Sequence, residues 1–217
     1  MSIIKTITCH AGARDGYHLS AALHQIGALE KLVTDLYAPS LIGKWFPRRF
    51  NADLPSSKTL SVWRNYLSEK LFSENFLITD KILSNKAFEL AKKHESNLFL
   101  TSYTAFEAFN AAADLNLNIS RLLFQIHPHP LTIRRILTDE LIHSPEAEYS
   151  IKAEHEMNTS AEMLHRLDQE SQLATGIVVA SQFTKDSLIE NGINSQNISI
   201  LPYGVDSNRF PAKLFYS

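Results

Sequence analysis

Several protein classes are excluded by what this 217-residue sequence lacks. A single cysteine, Cys9, rules out an internal disulfide framework and any thiolate-rich zinc module. No apolar run approaches the roughly 20 residues that a membrane-spanning helix needs. Charge is nearly balanced, 21 Lys and Arg against 23 Asp and Glu, so a net of −2 gives broad nucleic-acid binding no electrostatic support. Met1 to Ala11 holds one Lys and too short an apolar stretch for a signal peptide. There is no internal repeat and no low-complexity tract. With 44% apolar and 20% charged residues, the chain is no disordered tail. A soluble cytoplasmic protein of one large or two small domains is expected, long enough for a core without staples.

The patterns that are present alternate between strand and helix. Ile3 to Cys9 is a β-branched run, read as a buried strand, and it stops at a loop with two glycines, Gly12 and Gly16. A helix is predicted from Tyr17, with Leu19, Ala22, Leu23 and Ile26 as its apolar stripe, followed by a strand over Leu32 to Tyr37. Pro39 to Ser61 reads as irregular. Val62, Tyr66 and Leu67 suggest a short helix, and a longer one holds Ile78, Ile82 and Ala91 and ends in Lys92-Lys93-His94. A strand over Leu98 to Thr101, a helix facing inward through Phe106, Phe109 and Ala113, and a strand over Ser120 to Ile126 follow. Beyond His127-Pro128-His129-Pro130, a long polar helical region is expected over Glu146 to Leu173. The end reads as a strand from Gly176 to Ser181, a helix to Asn191-Gly192 and a strand from Ile198 to Pro202. The class is α/β, a Rossmann-like, mostly parallel sheet with helices on both faces.

In such a sheet, ligands sit beyond the carboxyl ends of the strands. Four candidate features fall there: the Gly12–Gly16 loop, Ser102-Tyr103, His127-Pro128-His129 and Ser181. The loop offers backbone amides before a helix, either as a seat for phosphate or as a plain turn, and it lacks the G-x-G-x-x-G and G-K-[ST] spacings. His127 and His129 could bind a metal, contact a polar substrate as donor or proton carrier, or be satisfied locally; no H-E-x-x-H spacing is present. Glu154, Glu156, Glu162 and Glu170 read as a solvated helix face rather than as paired carboxylates. Ser181 precedes a helix as an N-cap would, with no G-x-S-x-G around it. Lys44-Trp45-Phe46-Pro47-Arg48-Arg49-Phe50 mixes aromatics and cations. Packing of the aromatics onto the domain is the favoured reading, and contact with an anionic membrane surface or lipid phosphate the other.

The most specific stretch is near the end: Gly176 to Lys185, then Asn191-Gly192, then Ile198 to Asp206, then Phe210. It resembles family 4 glycosyltransferases, where such a block closes the N-terminal domain and leads into an interdomain hinge. The resemblance implies the N-terminal half of a GT-B fold. Residues 1–205 would be the acceptor-side domain and residues 206–217 the start of the hinge, with the donor-binding domain absent. It implies a sugar moved from a nucleotide-sugar to a glycan or lipid-linked acceptor with retention, no cofactor and no metal. By the same resemblance His127 touches the donor sugar, with His129 the fallback. Gly12, Gly16, Arg14, Tyr103, His129 and Ser181 are the candidate substrate-binding residues, while no family motif supports Arg134 or Arg135. Family members are usually much longer, so a fragment, a split-gene product or a frameshift relic is expected. This chain alone should then fold without transferring sugar, unless a missing C-terminal domain or a separate donor-domain chain joins it. A non-catalytic binding module is the alternative from another class. An oxidoreductase is disfavoured, with Asp35 the only acidic candidate after the loop.

Overall fold

A computed structural model of the chain describes residues 4–62 and 76–204. The chain enters through β1 (Thr6–His10), a strand buried along its whole length, so both of its faces are covered by helices. Ile7 and Cys9 point to one face and join the larger core cluster. Thr6, Thr8 and His10 point to the other, where α1 (His18–Gln25) packs. That second face is polar, and it selects the side that α1 buries. Thr8 Oγ1 and Ser20 Oγ share a hydrogen bond at 2.8 Å, and Ser20 and Ala21 are buried. The stripe expected from spacing is therefore corrected: Ala22 and Ile26 face solvent, and only Leu23 packs against the smaller cluster around Tyr17, Leu29 and Leu32.

Gly27, with φ +72°, ends α1 in the left-handed conformation that favours glycine, so β2 (Leu29–Thr34) starts three residues before the expected Leu32. The region expected to be irregular holds one α-helical turn, α2 (Ser40–Gly43), two 3-10 turns (Pro47–Arg49 and Ser56–Lys58) and an edge strand, β3 (Thr59–Ser61), that pairs with β2. Residues 63–75, where the sequence predicts the Tyr66-Leu67 helix, lie outside the described residues, as do residues 205–217 with the hinge segment. Helix α3 (Phe76–His94) then leads to β4 (Asn97–Thr101). α4 (Phe106–Asp114) buries Ala108, Phe109 and Ala112, with Phe106 and Ala113 at the edge of that face, and leads to β5 (Arg121–Gln125).

After β5 the sequence reading needs two corrections. A helix, α5 (Pro130–His143), forms directly at the proline pair, because Pro130 occupies its first turn, where a missing N–H costs nothing. The expected long polar helix is broken into α6 (Glu148–Ala153), α7 (His155–Asn158) and α8 (Ala161–Leu173). Extended backbone at Glu154 and at Thr159-Ser160 makes the breaks, and the Ser160 hydroxyl caps α8 by accepting from the Met163 N–H at 3.2 Å. The chain finishes with β6 (Gly176–Val179), α9 (Gln182–Glu190) and β7 (Ile198–Ile200).

All seven strands are parallel, in the order β3-β2-β1-β4-β5-β6-β7. The order reverses between β1 and β4, and the crevice beyond their carboxyl ends is where ligands bind in such sheets. The main core lies under α3, α4 and α9, with Leu83, Phe109 and Leu188 against Leu98, Leu100 and Leu123. Burying one such side chain contributes on the order of 2–3 kcal/mol. No described helix is long and apolar enough to cross a membrane.

Candidate functional site

The crevice at the reversal holds a cleft of about 520 Å³, within the size range of small-molecule sites. Of the residues predicted from sequence, it brings together Gly12 and Arg14 from the loop after β1, Tyr103 after β4 and His127 after β5. A smaller, mostly apolar cavity of about 340 Å³ adjoins it, sharing Arg14 and Thr101 and walled by Phe124, Ile126 and Tyr203.

The loop after β1 is held by carboxylates. Gly12, with φ +75°, donates its N–H to Asp35 Oδ1 at 3.0 Å, and Asp35 also accepts from the Leu36 N–H and from Arg49 Nη1. Asp15, itself left-handed, accepts from the N–H groups of Tyr17 and Leu19, both at 3.1 Å. The amides at the start of α1 are therefore occupied by a side chain. Of the two readings of this loop, these bonds favour the plain turn, since an anion at the Gly12, Tyr17 or Leu19 amide would have to displace a carboxylate. Arg14, which is exposed, is left as the loop's cationic group facing the cleft.

Tyr103 owes its place to a residue whose local sequence gives no hint of the role. Its backbone is left-handed, with φ +81°, and its N–H donates to Glu170 Oε2 at 2.8 Å. Glu170 Oε1 accepts from the N–H groups of Ala105 and Phe106, at 2.9 and 3.2 Å, so one carboxylate closes the turn and caps α4. Glu170 is fully buried, and desolvation pushes its carboxyl from the ordinary 4.5 up to about 7, against the pull of the three amides and Arg166. Beside it, buried Arg166 forks onto Glu107 at 2.7 and 3.0 Å and reaches the Tyr103 carbonyl at 3.4 Å. The solvated-face reading is thus wrong for Glu170, and Glu156 lines the cleft. Glu154 and Glu162 are exposed as that reading has them, Glu162 paired with Lys81 at 2.7 Å.

His127 is held in a lowered pKa range, first by burial and next by the charge of Arg14. The neutral imidazole prevails near pH 7, able to donate from one nitrogen and accept on the other. Asp80 from α3 and Glu156 from α7 add carboxylates to the same cleft.

Three predicted residues do not line the cleft. His129 is completely buried as the N-cap of α5, its Nδ1 accepting from the Leu131 N–H and its Nε2 3.4 Å from Asp168. Ser181 caps α9 by accepting from the Thr184 N–H at 3.1 Å. Gly16 supplies a left-handed turn, and its carbonyl accepts from Asn51 Nδ2 at 2.8 Å. Caps and ligands draw on the same residue types, which is why sequence mixed them. His127 and His129 also part company, one in the cleft and one against Asp168. Among the described residues, no three His, Cys, Asp or Glu side chains gather as a metal site would require. Arg135 is spent on Glu190, at 2.9 Å, across the outer surface. The thiol of Cys9 is buried and pushed far up, so it is inert.

The fold and cleft define a parallel α/β protein with a polar cleft at its topological switch point. No protein-family model matches the chain, and no curated protein does. Among solved structures, a UDP-glucosyltransferase from Polygonum tinctorium, in complex with 3,4-dichloroaniline, is similar at 12% identity and a TM-score of 0.44, over 93% of this chain and 53% of its own. HepE of Anabaena, in complex with UDP-glucose, is similar at 14% identity and a TM-score of 0.46, over 94% of this chain and 45% of its own. The chain thus spans about half the length of these structures. At these scores the likeness assigns it neither a family nor an activity.

Proposed function

We propose that this chain is the acceptor-side domain of a glycosyltransferase, working on a nucleotide-sugar and a hydroxyl-rich acceptor. The observation that carries the proposal is the convergence of Gly12, Arg14, Tyr103 and His127 in one cleft at the strand-order reversal. The resemblance of Gly176 to Asp206 to family 4 glycosyltransferases supports it, and with that resemblance goes transfer with retention and without a metal. The mixed lining of Asp80, Glu156, His127 and Arg14 suits sugar hydroxyls, which donate to carboxylates and accept from cations. We assign His127 the orienting of the transferred sugar, Arg14 the support of negative charge that develops on the leaving group, and Tyr103 the wall between them. The base and diphosphate of the donor are assigned to a second, facing domain, because the amides of Gly12, Tyr17 and Leu19 are already taken by Asp35 and Asp15.

Those occupied amides also favour a second reading, a module that binds the acceptor without transferring anything. Ligand-observed NMR on the purified chain tests the first part of either reading. Neutral oligosaccharides should bind, and His127→Ala or Arg14→Ala should weaken them at least tenfold with the far-ultraviolet dichroism unchanged. Absence of any sugar binding, or binding indifferent to both changes, would overturn the assignment. Transfer by the chain paired with a donor domain, lost on His127→Ala, separates enzyme from module.

A further inference from the structure

Of the three aromatics in the segment expected to pack onto the domain, only Phe50 does so. Of the side chains in Leu41–Phe50, Phe50 turns inward, its ring 6.2 Å from that of Tyr37. A Cβ built on Gly43 would fall inside the van der Waals envelope of that ring, so glycine lets Phe50 anchor the segment. The segment is closed on itself. The Ala38 N–H donates to the Arg49 carbonyl at 2.7 Å, and successive turns link Ile42 to Pro39, Trp45 to Ile42, Phe46 to Gly43 and Arg49 to Phe46. The result is a fixed knob rather than a frayed loop.

The knob turns its apolar side chains outward. Leu41 is 95% exposed, Trp45 82%, Phe46 52% and Ile42 41%, four large apolar residues within six positions. Lys44 and Arg48 stand exposed between and beside them, with no ion pair among the described residues. From Leu36 to Ala52 the sequence holds three cations and no acid. Arg49 is the one of the three turned inward, onto Asp35 at the edge of the cleft.

We propose that this knob docks the protein on an anionic lipid surface, with Trp45 and Phe46 entering the headgroup boundary and Lys44 and Arg48 meeting lipid phosphates. Either signal alone gives marginal membrane binding, and an apolar anchor with a basic patch supplies both. A second copy of the chain is a poor occupant, since a two-fold contact through this patch sets Lys44 and Arg48 against their own counterparts. The proposal does not rest on sugar transfer.

Vesicle flotation of the purified chain tests it, with phosphatidylcholine vesicles prepared with and without phosphatidylglycerol. The chain should float with the anionic vesicles only, and molar salt should strip it off. Lys44→Ala with Arg48→Ala should weaken binding by roughly 25-fold, at about fivefold for each cation. Trp45→Ser with Phe46→Ser should abolish it, and both pairs are exposed enough to leave the dichroism unchanged. The only other tryptophan is Trp63, so in Trp63→Phe the emission of Trp45 should shift to the blue on anionic vesicles. Three results would overturn the proposal: no flotation, flotation that ignores lipid charge and salt, or a dimer dispersed by Trp45→Ser with Phe46→Ser while flotation is unaltered.

Discussion

Replacing Glu170 with glutamine should change the pH dependence of stability in a way that only the buried acid explains. In the unfolded chain this carboxyl ionises near its ordinary 4.5, while burial in the folded chain holds the proton to about 7. The folded state therefore binds more protons than the unfolded state between those values. The contribution of Glu170 is fully present below about pH 4.5 and is lost as pH rises through about 7. A displacement of that size is worth about 3 kcal/mol. The substituted amide cannot titrate, and it keeps an oxygen for the Ala105 and Phe106 N–H groups. It turns an NH₂ toward the Tyr103 N–H, however, at a cost of about 1–3 kcal/mol that does not depend on pH. Urea unfolding of both proteins at about pH 5 and about pH 8 reads the difference, and the shifts of His127 and His129 cancel in the comparison. Because pH 5 already lies above 4.5, the advantage of the wild type should shrink by about 2.5 kcal/mol at the higher pH. A constant or widening gap would show that the three amides outweigh desolvation, and the reasoning would fail.

Other perturbations read other parts of the structure. Phe109→Ala empties a fully buried site in the main core and should cost about 3–5 kcal/mol in chemical denaturation. Asp35→Ala removes the carboxylate that pairs with Arg49 and frees the Gly12 amide; it should cost about 3 kcal/mol, and hydrogen exchange should speed up at Gly12. His127 should titrate below the ordinary 6.5 by NMR, and Arg14→Ala should move it part of the way back, because burial, the larger cause, remains. An unmoved His127 in that variant would mean that the two side chains do not share the cleft.

Strands were legible in the sequence because each is a short β-branched or leucine-rich run bounded by polar residues, as in Thr6–His10 and Gly176–Val179. The strand-end rule places Gly12, Tyr103 and His127 at the carboxyl edge of the sheet, where all three line one cleft. What escaped depended on partners distant in sequence. Glu170 sits among charged neighbours on α8, and nothing local marks it as the acid that receives amides from residues 103, 105 and 106. His129 and Ser181 carry side chains that suit ligands and helix caps equally, and only the packing of α5 and α9 tells which. Aromatics usually pack inside, which puts Trp45 and Phe46 there on sequence grounds, yet of the knob's aromatics only Phe50 turns inward.

The central claim is that the cleft between the Gly12 loop and His127 takes a sugar-bearing ligand. A crystal structure of the chain grown with a neutral oligosaccharide tests it most directly. The account predicts sugar density within hydrogen-bond reach of His127 and of Asp80 or Glu156, with the carboxylates of Asp35 and Asp15 still on their amides. Density confined to the outer surface, or an empty cleft in crystals of a chain that binds the sugar in solution, would contradict it.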